Sequence, residues 1–396
     1  MNPAISVNPW RATFAGLCAS LVGIGLARFA YTPLIPALIE GKWFSPAAVA
    51  YLGAANLAGY LVGALSGGWI AARMPLPAAL RTMMLLATAT FFACAAPISF
   101  LWFFIWRFAS GLSGGVLMVV AATTILAHVP PARRGVAGGA IFTGVGLGVA
   151  ASGTLVPLLL ERGLMETWLG LGVLALALSV AAWGGWPREV APPTAAQAVA
   201  APRDLPRASL PLKALYAEYA LCAMGLVPHM IFLVDFVARG LGHGVDVGAR
   251  YWVLFGLGAT VGPVLAGYLA DRIGFAAAVR LALLGQAAAV AVLTVWTGTL
   301  GLIASSVLIG AFLPGIVPLV LGRVLELTPP DGPARRIAWG NATTAFALGQ
   351  AAAAYGYSYL FAVTGGGYAS LFALGAGALV LAVAIDLLAA MLAKRR

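Results

Sequence analysis

Twelve long apolar segments limit what this chain can fold into more than any other feature of its sequence. A helix of about 20 apolar residues crosses the hydrocarbon core of a bilayer. Only 9% of the 396 residues are charged, against about 25% in soluble globular chains. The sequence therefore predicts an all-α integral membrane protein with twelve transmembrane helices. We expect these spans at residues 12–39, 46–72, 82–98, 100–128, 135–160, 166–187, 212–238, 247–270, 280–297, 299–322, 336–363 and 367–392.

The two halves of the chain repeat each other. Residues 68–81 align without a gap with residues 267–280, at an offset of 199. The arginine pair at 133–134 aligns with the pair at 335–336 at an offset of 202, and residues 21–26 align with 221–226 at 200. Three nearly equal offsets predict two parallel six-helix repeats, residues 1–187 and 212–396. Residues 188–211 contain five prolines, which is typical of a flexible linker.

The net charge of +11 could indicate a nucleic-acid-binding protein, but the basic residues are distributed by side. Loops on the side of both termini hold 17 of the 23 Lys and Arg residues, and the opposite loops hold four. This asymmetry follows the positive-inside rule. We therefore expect both termini and the linker in the cytoplasm, and no nucleic-acid partner.

Motifs for catalysis or nucleotide hydrolysis are missing from the sequence. It has no G-x-x-x-x-G-K-[ST] loop for ATP phosphates, and its three histidines lie on different segments. The three cysteines fall inside apolar segments, where packing is their expected role. We expect no enzyme activity, no cofactor and no metal site.

Arg28 is the only charged residue between Arg11 and Glu40. At the rise of an α-helix it lies roughly 25 Å from Arg11, well inside the bilayer. An arginine at that depth is costly unless it faces water, a counter-ion or a ligand. Arg28 is therefore predicted to belong to a functional site.

Two sequence patterns resemble those of a known transporter family. Residues 267–280 read G-x-x-x-D-R-x-G-x-x-x-x-x-R, and residues 23–36 read G-x-G-x-A-R-F-A-Y-T-P-L-x-P. The first pattern is similar to a loop of the major facilitator superfamily, and the second resembles the start of its YbfB/YjiJ group. Arg107, followed four residues later by Gly111, resembles the family's span 4 motif.

The resemblance implies a fold of two pseudo-symmetric six-helix bundles and a conformational latch. Asp271, Arg272 and Arg280 would latch helix ends and bias the inward–outward equilibrium. The first-half copy of the loop differs, with Ala72 in place of the acid and Pro75 in place of the second glycine.

The resemblance further implies that spans 1, 4, 7 and 10 line a central cavity. Arg28 lies on span 1 and Arg107 on span 4, whereas span 7 carries Glu218, His229 and Asp235. The repeat aligns Arg28 with the residue before His229, so we expect these two side chains to face each other.

Two buried arginines with few facing acids predict an electropositive pocket. Guanidinium groups bind carboxylates through paired hydrogen bonds, so we expect Arg28 and Arg107, with Tyr31 and His229, to bind a small organic anion. Alternatively, each arginine is paired within its half or caps helix carbonyls. For Arg107, the resemblance to the span 4 motif also implies an alternative role in proton coupling or packing. His229 could equally be a satisfied hydrogen-bonding residue.

Two acids of span 7 are candidates for proton coupling or gating. Glu218 lies roughly 8 Å beyond Lys213, where a carboxyl could carry a proton or remain an interfacial carboxylate. Asp235 lies four residues before Arg239, the favourable helical spacing for an ion pair. Its other predicted role is an outer gate that meets Arg28 or Arg107.

Together with the resemblance to bacterial transporters, these observations favour a monomeric secondary transporter in the bacterial inner membrane. It would move an organic anion by alternating access, coupled to protons. One alternative is efflux of amphipathic or drug-like compounds. Another is a membrane sensor or accessory subunit that binds a ligand without transporting it.

Overall fold

The computed structural model describes residues 9–126, 134–187, 209–328 and 332–394, and in these ranges it contains helices and no strand. Twelve helices span this part of the chain and confirm the predicted all-α fold. They are α1 (Pro9–Glu40), α2 (Pro46–Arg73), α3 (Leu76–Ala93), α4 (Phe100–Leu126), α5 (Arg134–Leu160), α6 (Leu164–Ala182), α7 (Leu210–Gly240), α8 (Val245–Ile273), α9 (Phe275–Val295), α10 (Thr299–Leu327), α11 (Gly332–Val363) and α12 (Tyr368–Lys394).

Eleven of these helices have candidate spans long and apolar enough to cross a membrane, as judged over the described residues. The other helix is α11, which has 32 residues and a more polar sequence. The chain divides into two compact units, Met1–Pro192 and Pro193–Arg396. Most of the predicted linker lies outside the described residues, as do Arg133 and His128.

Glycines allow α2 and α4 to pack backbone against backbone in the first half. A Cβ atom on Gly59 would overlap the Phe108 carbonyl, and one on Gly111 would overlap the Asn56 carbonyl. Small residues let transmembrane helices approach this closely.

The same glycine contacts recur between α8 and α10 at an offset of 199. Gly258 lies against the Val307 carbonyl, and Gly310 lies against the Phe255 carbonyl. The repeat seen in the sequence is therefore also a repeat of helix packing.

We expect Gly111→Val to destabilise the first half strongly, because the new side chain must displace the α2 backbone. Overpacking of this kind costs about 3 kcal/mol at the upper end of its usual range. Gly68→Val is the matched control, since nothing lies within 4 Å of a Cβ at Gly68. Thermal unfolding of the detergent-solubilised variants measures the difference. Equal melting temperatures for the two variants would contradict the close helix contact.

The helix α1 is interrupted halfway along its length. It changes from an α-helix to a π-helical segment at Leu21–Leu26, passes through a turn at residues 27–30, and resumes at Tyr31–Glu40. Pro33 contributes to the interruption because it has no N–H for the Phe29 carbonyl, which instead accepts a hydrogen bond of 3.3 Å from the Thr32 amide.

The helix α7 is irregular at the corresponding level. Its regular α-helix ends at Val227, and a π-helical segment covers Pro228–Phe232. The two interruptions place Arg28 in the turn of α1 and His229 in the π-helical segment of α7. Segments of this kind often mark functional positions.

Candidate functional site

The interruption in α1 is held by side chains from α4. Arg107 is only 3% exposed, and its Nη1 donates a hydrogen bond of 2.9 Å to the Ala27 carbonyl. Ser110 donates its hydroxyl proton to the same carbonyl, also over 2.9 Å. Arg107 thus donates to a helix carbonyl, which agrees with the alternative that it caps helix carbonyls. This carbonyl belongs to the residue that precedes Arg28.

Asn56 on α2 completes this network. Its Nδ2 donates to the Arg107 carbonyl at 3.3 Å and to the Ser110 Oγ at 3.2 Å. Because the Ser110 proton is used on Ala27, the Ser110 oxygen can accept from the Asn56 amide. We call Arg28, Tyr31, Asn56, Arg107 and Ser110 the first-half polar cluster.

Aromatic rings lie against both guanidinium groups of the cluster. The Arg107 Cζ is 4.1 Å from the centroid of the Tyr31 ring, and the Tyr31 hydroxyl donates to the Val49 carbonyl at 2.9 Å. The Arg28 Cζ lies 5.0 Å from the Tyr60 centroid and 5.1 Å from the Phe29 centroid. These distances are typical of cation–π contacts, so the rings stabilise positive charge inside the bundle.

Arg107 lacks a carboxylate partner within the described residues. No ion pair reaches it there, and its buried Nε has no hydrogen-bond partner in the same part of the chain. The three acidic residues before the linker, Glu40, Glu161 and Glu166, lie at helix ends. A buried charge without its counter-charge is costly, and the Arg107 guanidinium keeps an unused donor at Nε within the described residues.

The second half builds the same helix contact without this cluster. At the offset of 199 that relates the glycine contacts, Phe255 takes the place of Asn56, and Ser306 takes the place of Arg107. The packing of these helices therefore does not require a buried amide or guanidinium. This difference favours a role for Arg107 beyond structural support.

A second polar group joins the end of α7 to the start of α12. Asp235 is 1% exposed, and its carboxylate is paired with the Nε of Arg239 and, at 2.6 Å, with its Nη2. The Tyr368 hydroxyl donates to the same carboxylate at 2.5 Å. The ion pair predicted from the four-residue spacing is confirmed, whereas the gate remains a prediction. Tyr368 was not expected, because no sequence feature distinguishes it.

His229 lies inside the second half, fully buried. Its Nε2 is 2.7 Å from the Ser305 Oγ, which donates to the Ala289 carbonyl at 2.5 Å. The network therefore assigns Nε2 as the donor to Ser305. The ring also meets Phe372 edge to face at 5.2 Å. These contacts fit a hydrogen-bonded packing residue, and the expected approach to Arg28 remains a prediction.

The predicted latch residues have different environments. Asp271 and Arg272 are exposed at the end of α8, where Gly274 adopts a φ of 79°. That angle favours glycine, which explains the glycine of the loop pattern. Arg280 instead forms an ion pair with Asp386 on α12. The latch remains a prediction.

Glu218 is only 3% exposed on α7. No hydrogen bond or ion pair reaches its carboxyl from the described residues. It has electrostatic interactions with Asp386, Arg323 and Arg280. The Arg280–Asp386 ion pair thus lies within electrostatic range of Glu218, which the sequence did not predict.

Comparison with known proteins assigns the family. No curated protein matches the chain. A solved structure titled "Crystal structure of D-xylose-proton symporter" has a TM-score of 0.75 and 16% identity, over 97% of each chain. This likeness shows the two-bundle fold. A family model described as "Uncharacterised MFS-type transporter YbfB" matches residues 20–387. Since the match covers most of the chain, the protein belongs to this YbfB-type family of the major facilitator superfamily.

Proposed function

We propose that this transporter moves a small organic anion of the carboxylate type by alternating access, coupled to protons. We place it in the bacterial inner membrane, with both termini in the cytoplasm, because the basic residues concentrate in the loops on that side. The observation that carries the substrate class is the buried guanidinium of Arg107, which has no carboxylate partner within the described residues.

The geometry of Arg107 supports binding along the edge of its guanidinium plane. Nη1 is used by the Ala27 carbonyl, and the Tyr31 ring covers one face of the group. Nε has no hydrogen-bond partner in the described part of the chain and can donate to a carboxylate oxygen. Arg28, next to Ala27 in the α1 turn, would supply the second positive charge.

Two observations support proton coupling. The similar solved structure is, by its title, a proton symporter. Glu218 places a buried carboxyl on α7, and an ionisable residue at such a position is suited to carry protons. The proton would bind to Glu218 and the anion to the first-half polar cluster.

A thermal-shift screen of the purified protein tests the substrate class. Its three arms are small carboxylates, organic cations and neutral amphipathic compounds. A ligand at 100 times its dissociation constant stabilises the native state by about 2.7 kcal/mol, so binding should raise the melting temperature. We expect only carboxylates to do so. Stabilisation by cations or neutral compounds alone would overturn the proposal and favour efflux of amphipathic compounds.

A further inference from the structure

Four charged side chains lie at a similar depth near one end of the second half. Glu218 is eight residues inside the start of α7 at Leu210, and Asp386 is eight residues before the end of α12 at Lys394. Arg280 lies five residues after the start of α9, and Arg323 lies four before the end of α10. At about 1.5 Å per residue, all four lie roughly 6–12 Å inside the helix ends.

The two arginines of this group differ in their partners. Arg323 is paired at 2.8 Å with Glu326 on its own helix, and the Glu326 side chain is 40% exposed. Arg280 is paired with Asp386, whose side chain is 13% exposed. Glu218 lies within electrostatic reach of both arginines and of Asp386. Arg280 thus has the more buried acidic partner, although its own side chain (31% exposed) is more exposed than that of Arg323 (23% exposed). Both Asp386 and Glu218 lie within electrostatic range of Arg280.

Four helices pack against the part of α7 that carries Glu218, Leu210–Val227, and three of them supply these facing groups. Asp386 comes from α12, Arg280 from α9 and Arg323 from α10. The fourth packed helix is α11, which begins near Arg335 and Arg336, whose side chains lie outside the described residues. Its described part adds no charged side chain.

We propose that Glu218 and Asp386 compete for Arg280, and that this competition couples proton binding at Glu218 to the ion pair that joins α9 to α12. This inference rests on the proton coupling in the proposed function. When Glu218 holds a proton it is neutral, and Arg280 pairs with Asp386, as in this structure. When the proton leaves to water, the Glu218 carboxylate attracts Arg280 away from Asp386. Asp386 is then the positioning residue that determines how readily Glu218 gives up its proton.

The competition predicts that two substitutions change the proton affinity of Glu218 in opposite directions. In Asp386→Asn, Arg280 becomes available to Glu218, so ionised Glu218 is favoured. In Arg280→Gln, Glu218 loses this cation and faces the Asp386 charge, so protonated Glu218 is favoured. An opposite charge within hydrogen-bonding distance changes proton affinity by about tenfold or more. A residue with a purely structural role would not produce shifts of opposite sign.

Infrared spectroscopy of the full chain in lipid vesicles provides the test. The protonated carboxyl absorbs separately from the carboxylate, so its band can be followed against pH. We expect a titrating band that Glu218→Gln removes. Its midpoint should fall by about one pH unit in Asp386→Asn and rise by about one in Arg280→Gln. Asp246→Asn is the matched control and should leave the midpoint unchanged, because Asp246 is exposed in the first turn of α8, at the opposite end of the second half.

Two results would overturn the competition: a titrating band that survives Glu218→Gln, or midpoints that stay the same or move in one direction in both other variants. If Asp386→Asn does not fold, Arg280→Gln decides alone, since an unchanged midpoint there excludes the shared cation. The measurement needs no substrate. It can therefore fail while the thermal-shift screen supports an anion, or succeed while that screen excludes one.

Discussion

Replacing Arg107 by Gln should lower the affinity for carboxylates about 100-fold or more, for any carboxylate that stabilises the wild-type protein in the thermal-shift screen. Truncating one partner of a buried, hydrogen-bonded charge pair costs about 2–5 kcal/mol, and 2.8 kcal/mol corresponds to about 100-fold in affinity. The affinity of Arg107→Lys should lie between those of the wild type and Arg107→Gln, because lysine keeps the charge and loses the planar pair of donors. Isothermal titration of the anion into the purified variants measures the change.

Two controls separate binding from structural support. Arg73→Gln removes another arginine stacked 4.1 Å from a ring centroid, on the exposed end of α2, and should leave binding unchanged. Ser110→Ala removes the other hydrogen bond to the Ala27 carbonyl and keeps the Arg107 guanidinium. If Ser110→Ala weakened binding as much as Arg107→Gln, the guanidinium would act only by holding the α1 turn.

Replacing Arg239 by Gln should destabilise the second half by about 3–5 kcal/mol, the usual effect of removing one partner of a buried ion pair. Asp235 would remain 1% exposed with the Tyr368 hydroxyl as its remaining partner. Asp235→Asn should cost less, because the Arg239 side chain is 24% exposed and can turn towards water or headgroups. Thermal unfolding of the purified variants measures this difference, and we expect Arg239→Gln to melt at a lower temperature than Asp235→Asn.

The matched control for this pair is Glu326→Gln. It removes the exposed pair with Arg323, and exposed pairs contribute about 0–1 kcal/mol. We expect its melting temperature to stay close to that of the wild type. If Arg239→Gln melted at the same temperature as Glu326→Gln, the Asp235 pair would not hold α7 to α12.

The fold could be predicted from the sequence because its strongest determinants are local or periodic. Long apolar runs specify membrane-spanning helices whatever their partners. The internal repeat specified two similar bundles, and the α2–α4 and α8–α10 glycine contacts follow the same offset. The Asp235–Arg239 pair was predictable as well, because the four-residue spacing within one helix fixes it.

Contacts between helices were not predictable in the same way. Membrane helices are apolar on most sides, so their sequences do not show which face meets which neighbour. The links from Arg107 to Ala27 and from Arg280 to Asp386 join residues 80 and 106 positions apart. The repeat distinguishes Arg107 itself, because Ser306 takes its place at the equivalent position, but it does not identify Ala27 as the partner.

Uptake of the best-binding carboxylate into vesicles tests anion transport most directly. Wild-type protein, Arg107→Gln and Arg73→Gln are reconstituted at equal density, with and without a pH gradient. We expect wild type and Arg73→Gln to take up the anion faster with the gradient, and Arg107→Gln to lose at least nine-tenths of that uptake, within the effect of a buried charge contact. Equal uptake by Arg107→Gln and wild type would contradict carboxylate transport through the first-half polar cluster. So would wild-type vesicles that take up a neutral or cationic compound but no anion.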